Sequence, residues 1–357
     1  MEKYYIAAIN AANLMGSQRC RRLITFFGTA ETAWSAEPGE IEKSGVPPVA
    51  LESFFAFRQK NPDAPEKLLE FCDAREVGLC SIADEDYPPI LKEIQNPPVV
   101  FYYRGILKTF AERIAIVGSR NNTSYGQRAA FSLGKDLAAA GLTVVSGAAR
   151  GIDTNAHRGA LQAGRTVAVL GCGINHVFPR ENKKLLEEIS ETGLVMTEFE
   201  PNIAPNATTF PARNRIIAGL SRGVIVVEAG KKSGALITST YAGDYGRDVF
   251  AVPGNIYSAM SVGCNELIRD GATLITSAED VLAEYNFTTE EKISAPVQLS
   301  AAEEKIFKLI PAGEFVTLDE ILIAEDDIEP DEILSLVLQL EIKNCIVEDD
   351  GKYSRIR

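Results

Sequence analysis

From residue 113 onward, short aliphatic runs alternate with longer segments whose apolar residues recur at helical spacing. The runs Ile114–Val117, Thr143–Val145, Thr166–Leu170, Leu194–Thr197, Val224–Val227, Val249–Val252 and Thr273–Ile275 predict seven strands. Nearly continuous aliphatic strands imply burial on both faces, hence a parallel sheet covered by helices. The pattern predicts a doubly wound, Rossmann-like α/β fold, whose ligands lie beyond the carboxyl ends of the strands.

The flanks read differently. Tyr5 to Met15 is apolar and small, Gly16-Ser17 breaks it, and Gln18 to Phe27 resumes at helical spacing. Ile41 to Val46 reads as a hairpin between helices, either a helix-hairpin-helix turn offering amides to a DNA phosphate or a plain packing turn. The flanking Glu40 and Glu42 favour the latter. Tyr87-Pro88, Asn96-Pro97-Pro98 and Gly105 punctuate a lead-in segment in which Pro98 to Tyr103 is a candidate buried strand. Near the C-terminus, Ala301–Ile310, Leu318–Ile323 and Asp331–Lys343 predict three helices. Ile346–Ser354, with Asp350-Gly351 at its turn, predicts a β-hairpin wing. The expected organisation is a helical domain over 1–65 (sterile-alpha-motif or helix-hairpin-helix-like) and an extended Rossmann-like domain over 66–287. A linker over 288–299 and a winged-helix-like domain over 300–357 complete it.

Composition sharpens this. The chain has 357 residues, 46% of them hydrophobic, ample for several cores. No stretch approaches the ~18 apolar residues of a membrane span, and Met1 to Ile9 lacks an export pattern. The six cysteines are scattered without a C-x-x-C pair, so the expectation is free thiols in the cytoplasm and no metal or cofactor. The net charge of −13 argues against a polyanionic partner, but its distribution argues for one. Residues 113–276 hold 17 Lys and Arg against 13 Asp and Glu, whereas residues 300–357 hold 6 against 15. Phosphate is therefore expected in the middle of the chain, and residues 297–357 are expected to be dispensable for DNA binding.

The candidate chemistry sits at strand-to-helix junctions. The first strand ends in Gly118-Ser119-Arg120 just before a helix near Ser124, where a dinucleotide fingerprint would stand, but the G-x-G-x-x-G spacing is missing. A helix N-terminus plus a guanidinium suits a phosphate approached from outside. The second strand ends in Ser146-Gly147-Ala148-Ala149-Arg150-Gly151, followed by Asp153 and His157 at i,i+4 spacing. That pair is either an acid/base couple or, more simply, a structural one. The third leads through Gly171-Cys172-Gly173 to Phe178, Asn182 and Lys183, with Phe178 placed to stack on a base or to pack beside Pro179. In Thr208 to Arg215 a Pro stands in an expected first helical turn, with Phe210, Arg213, Asn214 and Arg215 around it. Two cations there oppose the helix dipole unless an anion joins them, so phosphate binding is expected, with salt bridges to Glu198 or Glu200 as the alternative. A further junction offers Lys231, Lys232, Ser233 and Gly234. Because these junctions share one parallel sheet, they should converge on one basic edge, which suits a polyanion better than one nucleotide. No internal demand for Arg120 or Arg213 is visible, so replacing either is expected to spare the fold.

Taken in order, GSR, SGAARGID, GCG with FPREN, FPARNRIIAGLS, VVEAG, SGALIT, GRDVFAVPG and NELIRDGA, from Ile114 to about Ala272, resemble the DprA/Smf family of DNA processing proteins. The resemblance implies sequence-independent single-stranded DNA binding, homodimerisation through the Rossmann-like domain, and handover of the strand to the RecA recombinase in natural transformation. It implies that Arg120 grips phosphate, with Phe210, Arg213 and Asn214 lining the same groove. Asp153, His157 and Glu228 are the only candidates for acid/base work, and they lie on different junctions or have structural explanations, so the chain is expected not to be an enzyme. Two positions depart from the family. Asn206-Ala207-Thr208 stands where many relatives carry a basic residue, which implies weaker affinity or compensation by Lys183, Lys184 or Lys231. Ser146-Gly147-Ala148 replaces S-G-G and tightens that loop.

The chief rival is a nucleotide-processing hydrolase of the lysine-decarboxylase-like, phosphoribohydrolase group. Those proteins carry P-G-G-x-G-T followed by a Glu, whereas Glu228 to Thr238 here reads EAGKKSGALIT. A nicotinamide dehydrogenase lacks its fingerprint, and a pure protein scaffold is separated only by a nucleic-acid binding assay.

Overall fold

A computed structural model describes residues 1–107, 112–285, 287, 299–311, 315–325, 328–343, 345–349 and 351–355. The chain divides into two compact units, Met1–Thr288 and Thr289–Arg357.

The first unit is built on nine strands: β1 Gly78–Ser81, β2 Val100–Gly105, β3 Arg113–Val117, β4 Thr143–Ser146, β5 Thr166–Val169, β6 Leu194–Thr197, β7 Gly223–Val226, β8 Asp248–Ala251 and β9 Thr273–Leu274. They form one sheet in the order β1-β2-β6-β5-β4-β3-β7-β8-β9. The seven strands from β3 to β9 run parallel. In register, Ala115 at the centre of β3 stands opposite Val145 of β4 on one side and Val224 of β7 on the other. β2 joins β6, and β1 joins β2, antiparallel. The chain winds outward from β3 through β4, β5 and β6, then returns to β7 on the other side of β3. The order therefore reverses between β3 and β7, the switch point where such sheets open a crevice.

Alternation along β3 shows why both faces are covered. Ile114 and Ile116 enter one layer, packed with Leu133, Leu137, Ile152 and Ala156 of helices Ser124–Ala139 and Ile152–Ala163. Ala115 and Val117 enter the opposite layer with Ile216 and Ile217 of helix Thr209–Gly219. A period of two sends successive side chains to opposite faces, and both sides here are apolar.

The N-terminal helices share a core with the sheet. Ile6, Ile9, Leu23, Trp34 and Phe54 belong to one buried cluster with Leu79, Val100, Tyr102 and Leu170. The turn at Glu42–Ser44 closes on Gly45 at φ 74, whose carbonyl accepts from the Arg22 guanidinium at 2.7 Å.

The second unit holds helices Ala301–Leu309, Leu318–Ala324 and Pro330–Ile342 around Ile306, Ile321, Ile333, Val337, Leu340 and Ile346. Its strands β10 Val316–Thr317, β11 Ile346–Asp349 and β12 Lys352–Arg355 pair antiparallel in the order β10-β12-β11. Of the expected wing turn, Gly351 has φ 75, while Asp350 lies outside the described residues, as does the expected linker except residue 299.

Candidate nucleic-acid interface

Parallel strands place the loops after β3, β4, β5, β7 and β8 on one edge of the sheet. There they surround a cavity of about 570 Å³ lined by Gly118, Ser119, Arg120, Phe210, Arg213 and Asn214, and by Lys231 to Gly234 of the loop after β7. A second, of about 130 Å³, is lined by Gly147, Arg150, Gly171 and Phe178 and again by Arg120, Phe210 and Arg213. Arg120 and Phe210 border both. The exposed Arg120 guanidinium lies 4.9 Å from the centre of the Phe210 ring, and the Phe178 ring is 5.3 Å from Phe210 on a 36° tilt. A cation held over an aromatic face keeps its outer edge free for an anion, and the paired rings offer a platform for a base. Close approach underlies this arrangement: a Cβ on Gly171 would stand 2.6 Å from Phe210 Cδ1, and one on Gly147 would collide with the Arg213 guanidinium.

Ten of the residues expected at the site line the larger cavity, and Gly147, Arg150 and Phe178 line only the smaller. Ser146, Gly151, Asn182, Lys183 and Arg215 line neither. Ser146 is buried and donates to the Ile116 carbonyl at 2.7 Å. Gly151, at φ 79, precedes helix Ile152–Ala163 in a conformation that disfavours a side chain. Asn182 is buried and donates to Ala148 O at 2.9 Å and Thr154 Oγ1 at 2.8 Å, tying the β4 and β5 loops together. Lys183 stands exposed, 3.8 Å from Glu187. Arg150 pairs with Glu181 in an exposed ion pair, which is worth little and opens readily to another anion.

The FPARN segment requires a correction. Its helix begins at Thr209, so Arg213 and Arg215 stand in the second turn rather than the first. Two residues apart on a helix, their side chains diverge by roughly 200°. Arg215 turns away, pairs with the partly buried Glu198 and donates to Asn96 O at 2.8 Å. Burial raises the Glu198 carboxyl pKa, and Arg215 counters it. Arg213 is 4% exposed and donates to the carbonyls of Gly147, at 2.6 Å, and Val169. Desolvation lowers its pKa while the neighbouring Asp153 pulls it back up. It forms the floor of the cavities as a fixed, internally bonded charge, so the expectation that its loss would spare the fold is withdrawn.

The helix that follows Arg120 also differs from expectation. Thr123 caps it by accepting from Gly126 N, and the buried Glu228 carboxylate accepts from Thr123 N at 2.9 Å and from Thr123 Oγ1. The anion at this N-terminus is thus the protein's own.

Asp153 and His157 do not form a couple among the described residues. Asp153 accepts from Gly147 N at 3.1 Å and Ala149 N at 3.3 Å. His157 is buried with Nδ1 at 2.6 Å from Thr166 Oγ1, and desolvation pushes its pKa down to about 3. Ala148 holds φ 51 in the tightened loop, a left-handed conformation that costs a residue with a Cβ about 1 kcal/mol. Ala207 lines the larger cavity together with Lys231 and Lys232, whereas Lys183 and Lys184 do not line it. Asn121 and Met260 also line it and were not anticipated. Asn121 directly follows GSR, but nothing in the sequence points from Met260 to a loop some 140 residues earlier.

This fold and edge define a class: a doubly wound, Rossmann-like protein with a basic groove floored by aromatic rings at the switch point. The family model for DNA recombination-mediator protein A matches residues 78–286, and the chain belongs to that family. Protein Smf of Synechocystis is 39% identical over 291 residues, spanning 79% of this chain and 72% of its own length. DNA processing protein DprA of Streptococcus pneumoniae is 47% identical over 209 residues, spanning 58% and 74%. The solved structure of the pneumococcal protein superposes with a TM-score of 0.69 at 38% identity, covering 80% of this chain and 98% of that one. DNA processing protein A of Helicobacter pylori, studied for its single-stranded DNA binding mode, gives 0.53 at 29% identity, covering 58% and 95%. No helix among the described residues is long and apolar enough to cross a membrane.

Proposed function

We propose that this chain binds single-stranded DNA without sequence preference along the carboxyl edge of its sheet and passes the strand to RecA in natural transformation. The observation that carries the reading is the Arg120–Phe210–Phe178 cluster bordering two cavities, the larger of which Lys231 and Lys232 also line. Free cations track a backbone, and aromatic faces accept any base, which is the physics of sequence-tolerant single-strand binding. The pneumococcal relative is a DNA processing protein and the Helicobacter one binds single strands, which supports the same role here. The handover to RecA, a homodimer formed through the Rossmann-like domain and a cytoplasmic setting rest on that kinship. We read the C-terminal unit as a winged helix.

The reading assigns no turnover. Asp153, His157 and Glu228, the acid/base candidates, are each engaged in internal bonds. Anisotropy with labelled single and double strands across a salt series tests the reading. Single strands should bind more tightly, with log affinity falling linearly against log salt, and the same preparation should release neither base nor phosphate from nucleotides. Equal affinity for duplex, or indifference to salt, defeats it.

A further inference from the structure

The loop after β8 ends in an exposed aromatic that none of the groove chemistry above uses. Tyr257 is 90% exposed and Ile256 78%, in a stretch, 252–261, that carries no charge. A floppy tip would explain this trivially, but the loop is bonded along its length. Pro253 O accepts from Tyr125 Oη at 2.8 Å, and Gly254 exchanges bonds with the Asn265 side chain at 3.2 and 3.0 Å. Asn255 Oδ1 accepts from Tyr257 N at 2.9 Å, Asn255 O accepts from Ser258 N at 2.9 Å, and Met260 O accepts from Ala229 N at 2.8 Å. The ring is therefore presented on a fixed backbone, which lowers the ordering cost of any stack it makes.

Its place in the sheet decides what it meets. The carboxyl-edge loops follow strand order, so Phe178 belongs to the β5 loop, Arg120 to β3, Lys231 and Lys232 to β7, and Tyr257 to β8, the next one along. Four strand intervals separate β5 from β8, about 19 Å at the usual spacing. Met260, three residues from Tyr257, lines the larger cavity, and three residues reach at most about 10 Å. The groove thus runs from one aromatic end to a second, with the cations between.

We propose that Tyr257 is a base-stacking platform that extends the single-strand site past Lys231 and Lys232, closing the β8 end as Phe178 and Phe210 close the other. The inference rests on the groove being a single-strand site. An uncharged, exposed ring adds affinity through a base face and adds no phosphate contact, so it contributes to binding strength without changing the salt slope.

Oligothymidylates stepped in length from about 4 to about 16 nucleotides would be titrated with the full chain, Tyr257→Ala, Tyr257→Phe and Arg120→Ala, with molar mass followed by light scattering. The wild type should gain roughly tenfold in affinity once the strand is long enough to reach Tyr257. Tyr257→Ala should lose that step while matching wild type on the shortest strands and keeping its salt slope, and Tyr257→Phe should recover it. A Tyr257→Ala profile identical to wild type at every length, beside a weakened Arg120→Ala, overturns the inference and leaves the groove reading standing. A change in molar mass without a change in affinity assigns the ring to a protein contact and also overturns it. Failure of the wild type to bind removes both.

Discussion

The carboxyl edge of the large sheet and the small C-terminal unit handle charge in opposite ways. Around the groove, carboxylates are spent internally: Glu228 on the helix after Arg120, Asp153 on the amides of the β4 loop, and Glu198 on Arg215. What remains at the surface includes Arg120, Lys231 and Lys232, beside the exposed Arg150–Glu181 pair. In the C-terminal unit the acids also serve helix N-termini, in the capping boxes Ser300/Glu303 and Thr317/Glu320 and at Asp331 and Glu332. Residues 300–357 hold 15 acids against 6 bases, and among the described acids all but Glu303 and Glu325 nevertheless face solvent and set its sign. The difference teaches that the sign of a surface follows from which charges the fold consumes. A chain of net charge −13 can still present a cationic groove.

The largest effect should come from the consumed charges. Arg213→Ala removes a guanidinium bonded to two buried carbonyls and strands Asp153 beside it. It should cost about 3–5 kcal/mol of stability, read as a lower denaturant midpoint in the first unit. An unchanged midpoint would show that Arg213 is a ligand-facing residue after all, and the contrast with Arg120 would collapse. Arg120→Ala should leave that midpoint within about 0.5 kcal/mol while weakening single-strand binding roughly tenfold and lowering the salt slope by about 1. Wild-type affinity in this variant would place the DNA path elsewhere. The smallest effect belongs to the acidic unit. A chain ending at Glu290 should keep its single-strand affinity within about threefold, or gain slightly as repulsion is lost. A hundredfold loss with the remainder still folded would give the C-terminal unit a direct part in binding.

All seven parallel strands were legible as aliphatic runs, each to within a residue or so; from β3 to β7 burial on both faces leaves so plain a signal, whereas both residues of β9 are exposed. The three helices and the hairpin strands of the C-terminal unit were legible from helical spacing and Asp350-Gly351, but the two-residue β10, Val316–Thr317, was not. β1 was not, since four residues at an antiparallel edge, Gly78–Ser81, carry too little pattern. The convergence of GSR, the FPARN segment and the Lys231-Lys232 loop also followed from sequence, since parallel strands leave their junctions no other edge.

Which cation stays free at the surface did not follow. Arg120, Arg213 and Arg215 are the same residue type near the same edge, and for the last two the sequence left phosphate and salt bridges to Glu198 or Glu200 both open. Helix phase turned Arg215 to Glu198, burial bound Arg213 to Gly147 and Val169, and the Phe210 ring held Arg120 at the surface. Likewise Glu228 reaches a helix start 105 residues away along the chain, and Met260 a cavity wall formed largely by much earlier residues. Periodicity encodes which face of an element is buried, and that much is local. The direction and partners of a polar side chain depend on groups brought near by the rest of the fold, and only the tertiary structure decides them.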